Sequence, residues 1–209
     1  MAVLGSMVFA DGTAAVNGSA DDIIDQEGFY AGLAINAMSS RDSRVSMNIF
    51  DVKSGQDRLG NINLVGGYII NDYLAVEGRY GTTFSDEDRV ELDSQWSLFI
   101  KPMYKFENDD DRMNGDDYIA VYALLGYGGV SIQGVNGVNA DVDDNSFQWG
   151  IGVSYTFRES SHDEGYKYRD RWTIFADYTY LGRDMDGLYY NGAQTVDADA
   201  FTIGLTYKF

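Results

Sequence analysis

The sequence has 209 residues, no cysteine and a formal net charge of −18, from 15 Lys and Arg against 33 Asp and Glu. The lack of cysteine excludes a disulfide framework and thiolate metal sites, and the acidic balance argues against nucleic-acid binding, which needs a basic surface. No run of about 18 apolar residues is present, which excludes a transmembrane helix but not a membrane β-barrel, because alternating strands average out in hydropathy.

The N-terminal residues differ in character from the rest of the chain. Residues 1–10, MAVLGSMVFA, are apolar and end with small residues at the last and third-last positions. We interpret them as the remnant of a secretory signal peptide, with an apolar tag as the alternative. Residues 11–27 are small and acidic without a clear period. They are expected to form a solvated tail, so the folded domain begins at Gly28.

From Gly28 onward, apolar residues recur at every second position in eight segments separated by turn-forming residues. This period is typical of β-strands. The predicted strands are about 28–38, 59–70, 73–84, 94–106, 118–130, 146–157, 171–181 and 201–209. Their lengths of roughly 10 to 13 residues exceed those of most soluble strands and match a tilted crossing of a bilayer.

Alternation alone does not separate a membrane barrel from a soluble barrel, because the two differ only in which face is outside. Aromatic residues at both ends of the apolar faces favour the membrane barrel, since such residues collect at membrane interfaces. These girdle candidates are Trp96, Phe106, Phe147, Phe157, Trp172 and Tyr180. The opposite faces carry mostly small residues, which suit a narrow interior. The sequence therefore predicts an all-β fold, an eight-stranded antiparallel up-and-down transmembrane β-barrel over residues 28–209.

Pro102 lies inside the fourth predicted strand. Proline has no backbone N–H and cannot donate to a strand ladder, so it is normally found at an edge or a bulge. A closed barrel has no edge strand. We therefore expect a β-bulge at Pro102.

The chain resembles the small outer-membrane β-barrel family of Gram-negative bacteria, the OmpA/OmpX-type eight-stranded barrels. The resemblance rests on the eight alternating segments, on the stretches YALLGYGG and GIGVSYTF, and on the final FTIGLTYKF. It implies an integral, monomeric outer-membrane protein in contact with membrane lipid and lipopolysaccharide, with a periplasmic N-terminal tail. It also implies a signal for the barrel-assembly machinery, formed by Phe201, Ile203, Leu205, Tyr207 and Phe209.

Five charged residues fall on the small-residue faces and are expected in the lumen: Glu77, Arg79, Lys101, Lys105 and Asp177. A charge in a narrow interior requires a partner. A loop of about 85–93 pairs Phe84 with Ser94 and thereby places Glu77 opposite Lys101. The charges then form either a packed plug that closes the lumen, or a gate that admits ions or small solutes.

No catalytic or metal-binding motif is recognised. His162 has serine and aspartate neighbours, but catalytic triads are assembled from residues that are distant in sequence. Within the acidic stretch from Asp109, an EF-hand loop that starts at Asp110 fails the pattern, because Arg112 stands where a ligand is needed and Val121 stands at the twelfth position. We predict neither an enzyme nor a bound cofactor or metal ion.

The predicted function is a structural or surface-exposed role in the cell envelope, with the lumen filled by side chains. Two alternatives remain: a narrow pore for ions or small solutes, and an adhesin or ligand-binding surface protein that acts through its outer loops. The most apolar of these loops, MDGLYYNG, contains Leu188, Tyr189 and Tyr190. These residues are interpreted either as a partner site or as the upper part of the aromatic girdle.

Overall fold

A computed structural model describes residues 24–25, 27–44, 49–51, 56–85, 90–108, 111, 114–160, 168–189 and 192–209. A two-residue strand, β1, is followed by eight long strands that each pair antiparallel with their neighbours in the chain. The bounds are β1 Ile24–Asp25, β2 Gly28–Asp42, β3 Gln56–Asn71, β4 Leu74–Ser85, β5 Val90–Phe106, β6 Tyr118–Gly134, β7 Asp141–Ser160, β8 Tyr168–Leu188 and β9 Thr195–Lys208. The last strand pairs with both β8 and β2, which closes the barrel and confirms the predicted fold.

The barrel has two distinct ends. The end that holds the start of β2 and the end of β9, here called the terminal end, carries the tight turn between β3 and β4 and two longer connections. The opposite end, here called the far end, carries the other four connections. In the described part of the chain no helix is long and apolar enough to cross a membrane.

In the middle of the barrel the outward face is apolar and the inward face is polar, as in a membrane-spanning sheet. Its outward face exposes large apolar side chains, with Leu98 56% and Ile151 62% exposed. The predicted girdle residues Trp96, Phe147 and Tyr180 lie on this face toward the far end, and Phe106, Phe157 and Trp172 lie on it toward the terminal end. Ten residues separate the two girdle positions of β7, or roughly 33 Å of strand, which a tilt of about 40° reduces to the thickness of a bilayer core.

Toward the far end the strands continue past the far-end girdle residues. In these extensions the apolar side chains face the interior of the barrel, whereas in the middle of the barrel they face outward. β8, predicted over 171–181, extends to Leu188, and β9, predicted over 201–209, begins at Thr195. Apolar side chains in these extensions point inward and pack together, and we call this cluster the apolar cap. Its members are Met38, Leu59, Val90, Leu92, Val130, Ile132, Ala140, Val142, Leu181, Met185, Tyr189, Ala193, Val196, Ala198 and Ala200.

The prediction of a β-bulge at Pro102 is wrong. The pairing of β5 with β6 keeps the same register on both sides of this residue, from Ile100 with Leu125 to Met103 with Tyr122, and only the pairs between them are missing. The Met103 N–H donates to the Tyr73 carbonyl on the β4 side, so the proline nitrogen faces β6, where the ladder is interrupted. The strand therefore accommodates proline by omitting pairs instead of inserting a residue.

Ile49 and Phe50, in the connection after β2, lie against the outer surface of the barrel. Arg41 of β2 and Asp199 of β9 form an ion pair on the outward face that is 2% and 0% exposed. Ile49 lies against the pair, and its backbone N–H donates a hydrogen bond to the Asp199 carboxylate. The next residue, Phe50, packs its ring against Phe201 on the outward face of β9. This segment therefore covers the seam between the first and last barrel strands.

Most of the two predicted N-terminal segments, residues 1–23, lies outside the described residues. Within the predicted solvated tail, Ile24 and Asp25 pair in parallel with Tyr168 and Arg169 of β8. The first strand of the barrel begins at Gly28, the predicted start of the domain.

Candidate functional site

The centre of the lumen holds four of the five predicted charges in one ion-paired group, here called the central charge cluster: Glu77, Arg79, Lys101 and Asp177. The Arg79 guanidinium donates two hydrogen bonds to the Asp177 carboxylate, at 2.9 and 2.7 Å. It also lies 2.7 Å from Glu77, whose second carboxylate oxygen accepts a 2.7 Å hydrogen bond from Lys101. Two positive and two negative charges make the cluster neutral, as burial in a low dielectric demands.

Two lumen tyrosines complete the hydrogen bonding of the cluster. The Tyr30 hydroxyl donates to Glu77 at 2.7 Å, and the Tyr122 hydroxyl donates to Asp177 at 2.9 Å. The Lys101 ammonium lies 4.2 Å from the centre of the Tyr122 ring, within cation–π range. Each carboxylate therefore accepts hydrogen bonds from a cation and from a phenol, which satisfies these buried charges.

Glycines that pair directly with these tyrosines on the adjacent strands make room for the two rings. A Cβ atom at Gly67 would lie 2.5 Å from the Tyr30 ring, and one at Gly152 would lie 2.4 Å from the Tyr122 ring. Both distances are shorter than any real contact. Because a Cβ atom at either position would collide with the ring, the two glycines permit the tyrosine positions seen in the central charge cluster.

The predicted register between β4 and β5 is wrong by two residues. Glu77 pairs with Phe99, and Lys101 pairs with Ala75. Glu77 and Lys101 nevertheless meet, because positions two apart on the same face are diagonal neighbours that a lysine side chain can bridge. The error came from estimating the register from the loop length, which is a weaker constraint than the contacts along the whole strand.

Lys105 faces the lumen but lies outside the central charge cluster. Its ammonium lies 3.0 Å from the Asp72 carboxylate at the terminal end. A second ion-paired group closes this mouth, where Arg158 contacts Glu107 at 2.6 Å and Asp170 at 2.9 Å. The Tyr118 hydroxyl donates a hydrogen bond to the Asp170 carboxylate. Tyr30 and Tyr122 donate in the same way to the carboxylates of the central charge cluster.

A small cavity separates the two ion-paired groups. Its volume is about 50 Å³, and its lining includes Lys101, Tyr118, Asp170 and Lys208. A space of this size holds a few water molecules. The charged lumen thus has room for water on the terminal side of the central charge cluster.

On the other side of the central charge cluster lies a layer of buried amide side chains. The layer consists of Asn36, Asn61, Asn63, Gln95 and Gln148, each 6% exposed or less. The space bounded by this layer, Arg79 and Leu181 has no room for a water molecule. Beyond it the apolar cap fills the far end, so the continuous polar path through the barrel stops at the amide layer.

Tyr189 is neither an exposed partner residue nor part of the girdle, contrary to both interpretations of its loop. It is 1% exposed and belongs to the apolar cap. Its hydroxyl donates to the buried Asp57 carboxylate and lies 2.9 Å from the Ser40 hydroxyl. Leu188 is 39% exposed, and Tyr190 lies outside the described residues.

The remaining predicted residues fall as follows. The alternate residues of β9 from Phe201 to Tyr207 lie on the outward face, and the terminal Phe209 is 68% exposed. Among the described residues, no group of three or more acidic, histidine or cysteine side chains is placed to hold a metal ion. His162 and Asp109 lie outside this part of the chain. In the turn after β2, a hydrogen bond to the Asp42 carboxylate raises the pKa of the exposed Arg44 guanidinium.

Sequence reasoning missed the tyrosine partners, the Arg158 group and the apolar cap. Tyr30 and Tyr122 alternate in phase with small lumen residues, which was the available signal for their inward orientation. Arg158 and Asp170 had been assigned to a turn, because β7 and β8 are longer than predicted. Which inward residues meet depends on the relative stagger of all eight strands, and no single segment encodes it.

The apolar outer belt, the closed ladder and the filled lumen define a membrane-spanning eight-stranded β-barrel. Residues 2–209 match the family described as "Outer membrane protein beta-barrel domain". The chain belongs to this family and is an integral outer-membrane protein. A comparison with curated protein sequences gave no match.

Solved structures of small outer-membrane proteins are similar to this chain. Neisserial surface protein A is 16% identical with a TM-score of 0.50, covering 87% of this chain and 97% of that chain. Ail, the attachment invasion locus protein of Yersinia pestis, solved with the heparin analogue sucrose octasulfate, is 17% identical with a TM-score of 0.45, covering 87% and 99%. OprG from Pseudomonas aeruginosa is 12% identical with a TM-score of 0.44, covering 90% and 98%. At these identities the similarity shows the shared fold alone.

Proposed function

We propose that this protein is a non-conducting, non-enzymatic barrel with a structural or surface-exposed role in the outer membrane. The observation that carries this proposal is the apolar cap, which fills the far end with side chains such as Leu181 and Met185, both 1% exposed or less. A hydrated ion entering from the terminal side meets the central charge cluster, then the amide layer, and finally a region without water. Hydrophobic constrictions of this kind exclude ions because they do not wet.

Conductance measurements in planar bilayers test this proposal. The wild type and Glu77→Ala are both expected to show no discrete conductance steps, because the apolar cap stays in place when the charge cluster is broken. Arg183→Ala, which removes an exposed arginine 77% accessible at the far end, is the matched control. Discrete steps in the wild type would overturn the proposal.

A narrow pore is the second candidate, and the cavity with room for water on the terminal side of the central charge cluster favours it. In this case Glu77, Arg79 and Lys101 act as the gate, and Asp177 anchors it. Discrete wild-type conductance that changes in Glu77→Ala but not in Arg183→Ala would establish this function in place of the first.

An adhesin or ligand-binding role through the far end is the third candidate, and the projection of the strands past the girdle favours it. Deleting residues 186–192 would remove Tyr189 from the apolar cap, so a fold defect would be confused with lost binding. Leu188→Ser changes only an exposed side chain and is the sharper test. Unchanged binding to host cells or matrix would exclude a contact by Leu188.

We further propose that the terminal end faces the periplasm and that the barrel is monomeric, as the family resemblance implies. In this orientation the exposed aromatic residues of β9, including Tyr207 and Phe209, are available to the barrel-assembly machinery, and the far-end girdle contacts lipopolysaccharide. An epitope tag in the turn at Asn136–Gly137 should then bind antibody on intact cells. A tag at Gly115 should bind antibody only after the outer membrane is permeabilised, and the reverse result would invert the orientation.

A further inference from the structure

A groove on the outer surface at the terminal end is not explained by the proposed function. It has a volume of about 550 Å³, is open to the surroundings, and crosses β7, β8 and β9. Its apolar lining is Phe157, Trp172 and Leu205, which lie at the level of the terminal-end girdle. The groove is therefore placed where the headgroups of a membrane leaflet meet its acyl chains.

A β-bulge in β8 brings an arginine to the rim of this groove. Phe157 pairs with Trp172 and Arg158 pairs with Asp170, so Arg171 is the extra residue between them. The bulge turns Arg171 toward the outer surface, where its guanidinium donates to the Tyr207 hydroxyl at 3.2 Å and its side chain remains 22% exposed. Bulges commonly re-aim one side chain in this way.

Two carboxylates share the rim with Arg171. Glu159 is 58% exposed, and its carboxylate lies 3.9 Å from the Arg171 guanidinium, beyond hydrogen-bond distance. Asp117 is held at the groove by hydrogen bonds from the Tyr155 hydroxyl and from the Arg158 backbone N–H, at 3.0 and 2.9 Å. Arg158 also lines the groove, but its side chain is 0% exposed and its guanidinium is paired with Glu107 and Asp170. The exposed charges above the apolar floor are therefore one cation and two anions.

We propose that this groove binds a zwitterionic phospholipid that carries a primary amine, with a phosphoethanolamine headgroup. Arg171 donates to the phosphate, Glu159 accepts from the ammonium, and Trp172 and Leu205 contact the acyl chains. A purely anionic headgroup would be repelled by the two carboxylates at the rim, and Arg171 alone would attract it. A quaternary ammonium has no N–H to donate to them. The charge pattern selects the headgroup, and the inference rests on the proposed periplasmic orientation of the terminal end, which the epitope tags test separately.

Native mass spectrometry of the detergent-solubilised protein tests the site. Phosphatidylethanolamine, phosphatidylglycerol and phosphatidylcholine with identical acyl chains are titrated separately. The ethanolamine lipid is expected to bind most tightly. Glu159→Gln should weaken it by about tenfold, the usual effect of losing one charge-assisted hydrogen bond, and should not weaken phosphatidylglycerol.

Matched variants at the far end provide the controls. Glu91→Gln and Arg183→Gln make the same changes away from the groove and should leave all three affinities unchanged. Arg171→Gln should weaken all three lipids, because each carries the phosphate to which Arg171 donates. Equal binding of the three headgroups, or equal effects of Glu159→Gln and Glu91→Gln, would overturn the proposal. Heat-modifiable gel migration confirms that each variant is folded.

Discussion

The membrane-spanning part of this barrel and its far-end extension are built from the same eight strands with opposite polarity. In the membrane part, apolar side chains such as Ile151 face lipid, and the interior holds the central charge cluster and the amide layer. In the extension, Leu181 and Met185 face inward, and acidic residues such as Asp143 face outward. The solvent outside each part decides which face is apolar, because hydrocarbon and water impose opposite requirements on the exposed surface.

The reversal is visible as a shift of phase in the sequence. In β9 the apolar residues stand at even positions up to Ala200 and at odd positions from Phe201 onward. The strand itself continues without interruption, from Thr195 to Lys208. A change in the phase of alternation therefore marks the level at which a strand leaves the membrane, and not the end of the strand.

The largest expected effect comes from breaking the polar interior. Arg79→Met leaves the Glu77 and Asp177 carboxylates buried with insufficient positive charge, and should lower the free energy of unfolding by about 3–5 kcal/mol. Urea unfolding in lipid vesicles measures this change. Arg183→Met, at an exposed arginine, should change it by less than about 0.5 kcal/mol. Similar effects of the two variants would show that the cluster does not stabilise the fold.

The apolar cap should respond as a water-soluble core does. Leu181→Ala removes a fully buried side chain and should cost about 2–5 kcal/mol in unfolding free energy, including the cost of a cavity. Leu98→Ala, on the lipid-facing surface, should cost less, because lipid chains fill the space. Equal costs in the same urea experiment would mean that the cap is loosely packed.

Charges on the outward face should distinguish the two parts directly. Ile151→Arg places a guanidinium in the hydrocarbon and should lower the unfolding free energy by about 2–4 kcal/mol. Asp143→Arg changes an outward position of the same strand beyond the girdle, and its effect should be close to zero. If Asp143→Arg is as costly, the bilayer extends farther along β7 than the girdle indicates.

The smallest change in unfolding free energy is expected at the Tyr189 hydroxyl, the hydrogen-bonding group within the apolar cap. Tyr189→Phe removes the hydroxyl that donates to the buried Asp57 carboxylate, and should cost about 1–3 kcal/mol. Tyr127→Phe, at an exposed tyrosine whose hydroxyl contact measures 3.5 Å, is the control. Identical unfolding midpoints for the two variants would show that the Tyr189 hydrogen bond is not needed to hold the cap.

Much of the fold was predictable because the membrane part follows one simple rule, alternation with the apolar face outward. The rule located all eight strands and several of their terminal-end boundaries, such as Gly28 and Phe106, but it ended β7 before Ser160 and began β8 after Tyr168. It failed toward the far end, where the reversed polarity of β8 beyond Tyr180 was interpreted as a loop. It also gave no information on how a strand tolerates Pro102.

The candidate site was predictable in part. The inward orientation of Glu77 and Asp177 followed from the phase of their strands. Their contacts did not, because Arg79 reaches Asp177 across the lumen from a strand that is not a neighbour of β8. Such contacts depend on the diameter and stagger of the closed barrel, which are properties of all the strands together.

The covered ion pair at the seam makes barrel closure selective for one alignment. Arg41 is contributed by the first barrel strand and Asp199 by the last, and both are hidden beneath Ile49 on the outside of the wall. If the two strands joined one residue out of step, Asp199 would turn into the apolar cap and Arg41 would lose its carboxylate. A misaligned closure would thus bury an unpaired charge, so the ion pair favours the observed register of the first and last barrel strands over its neighbours.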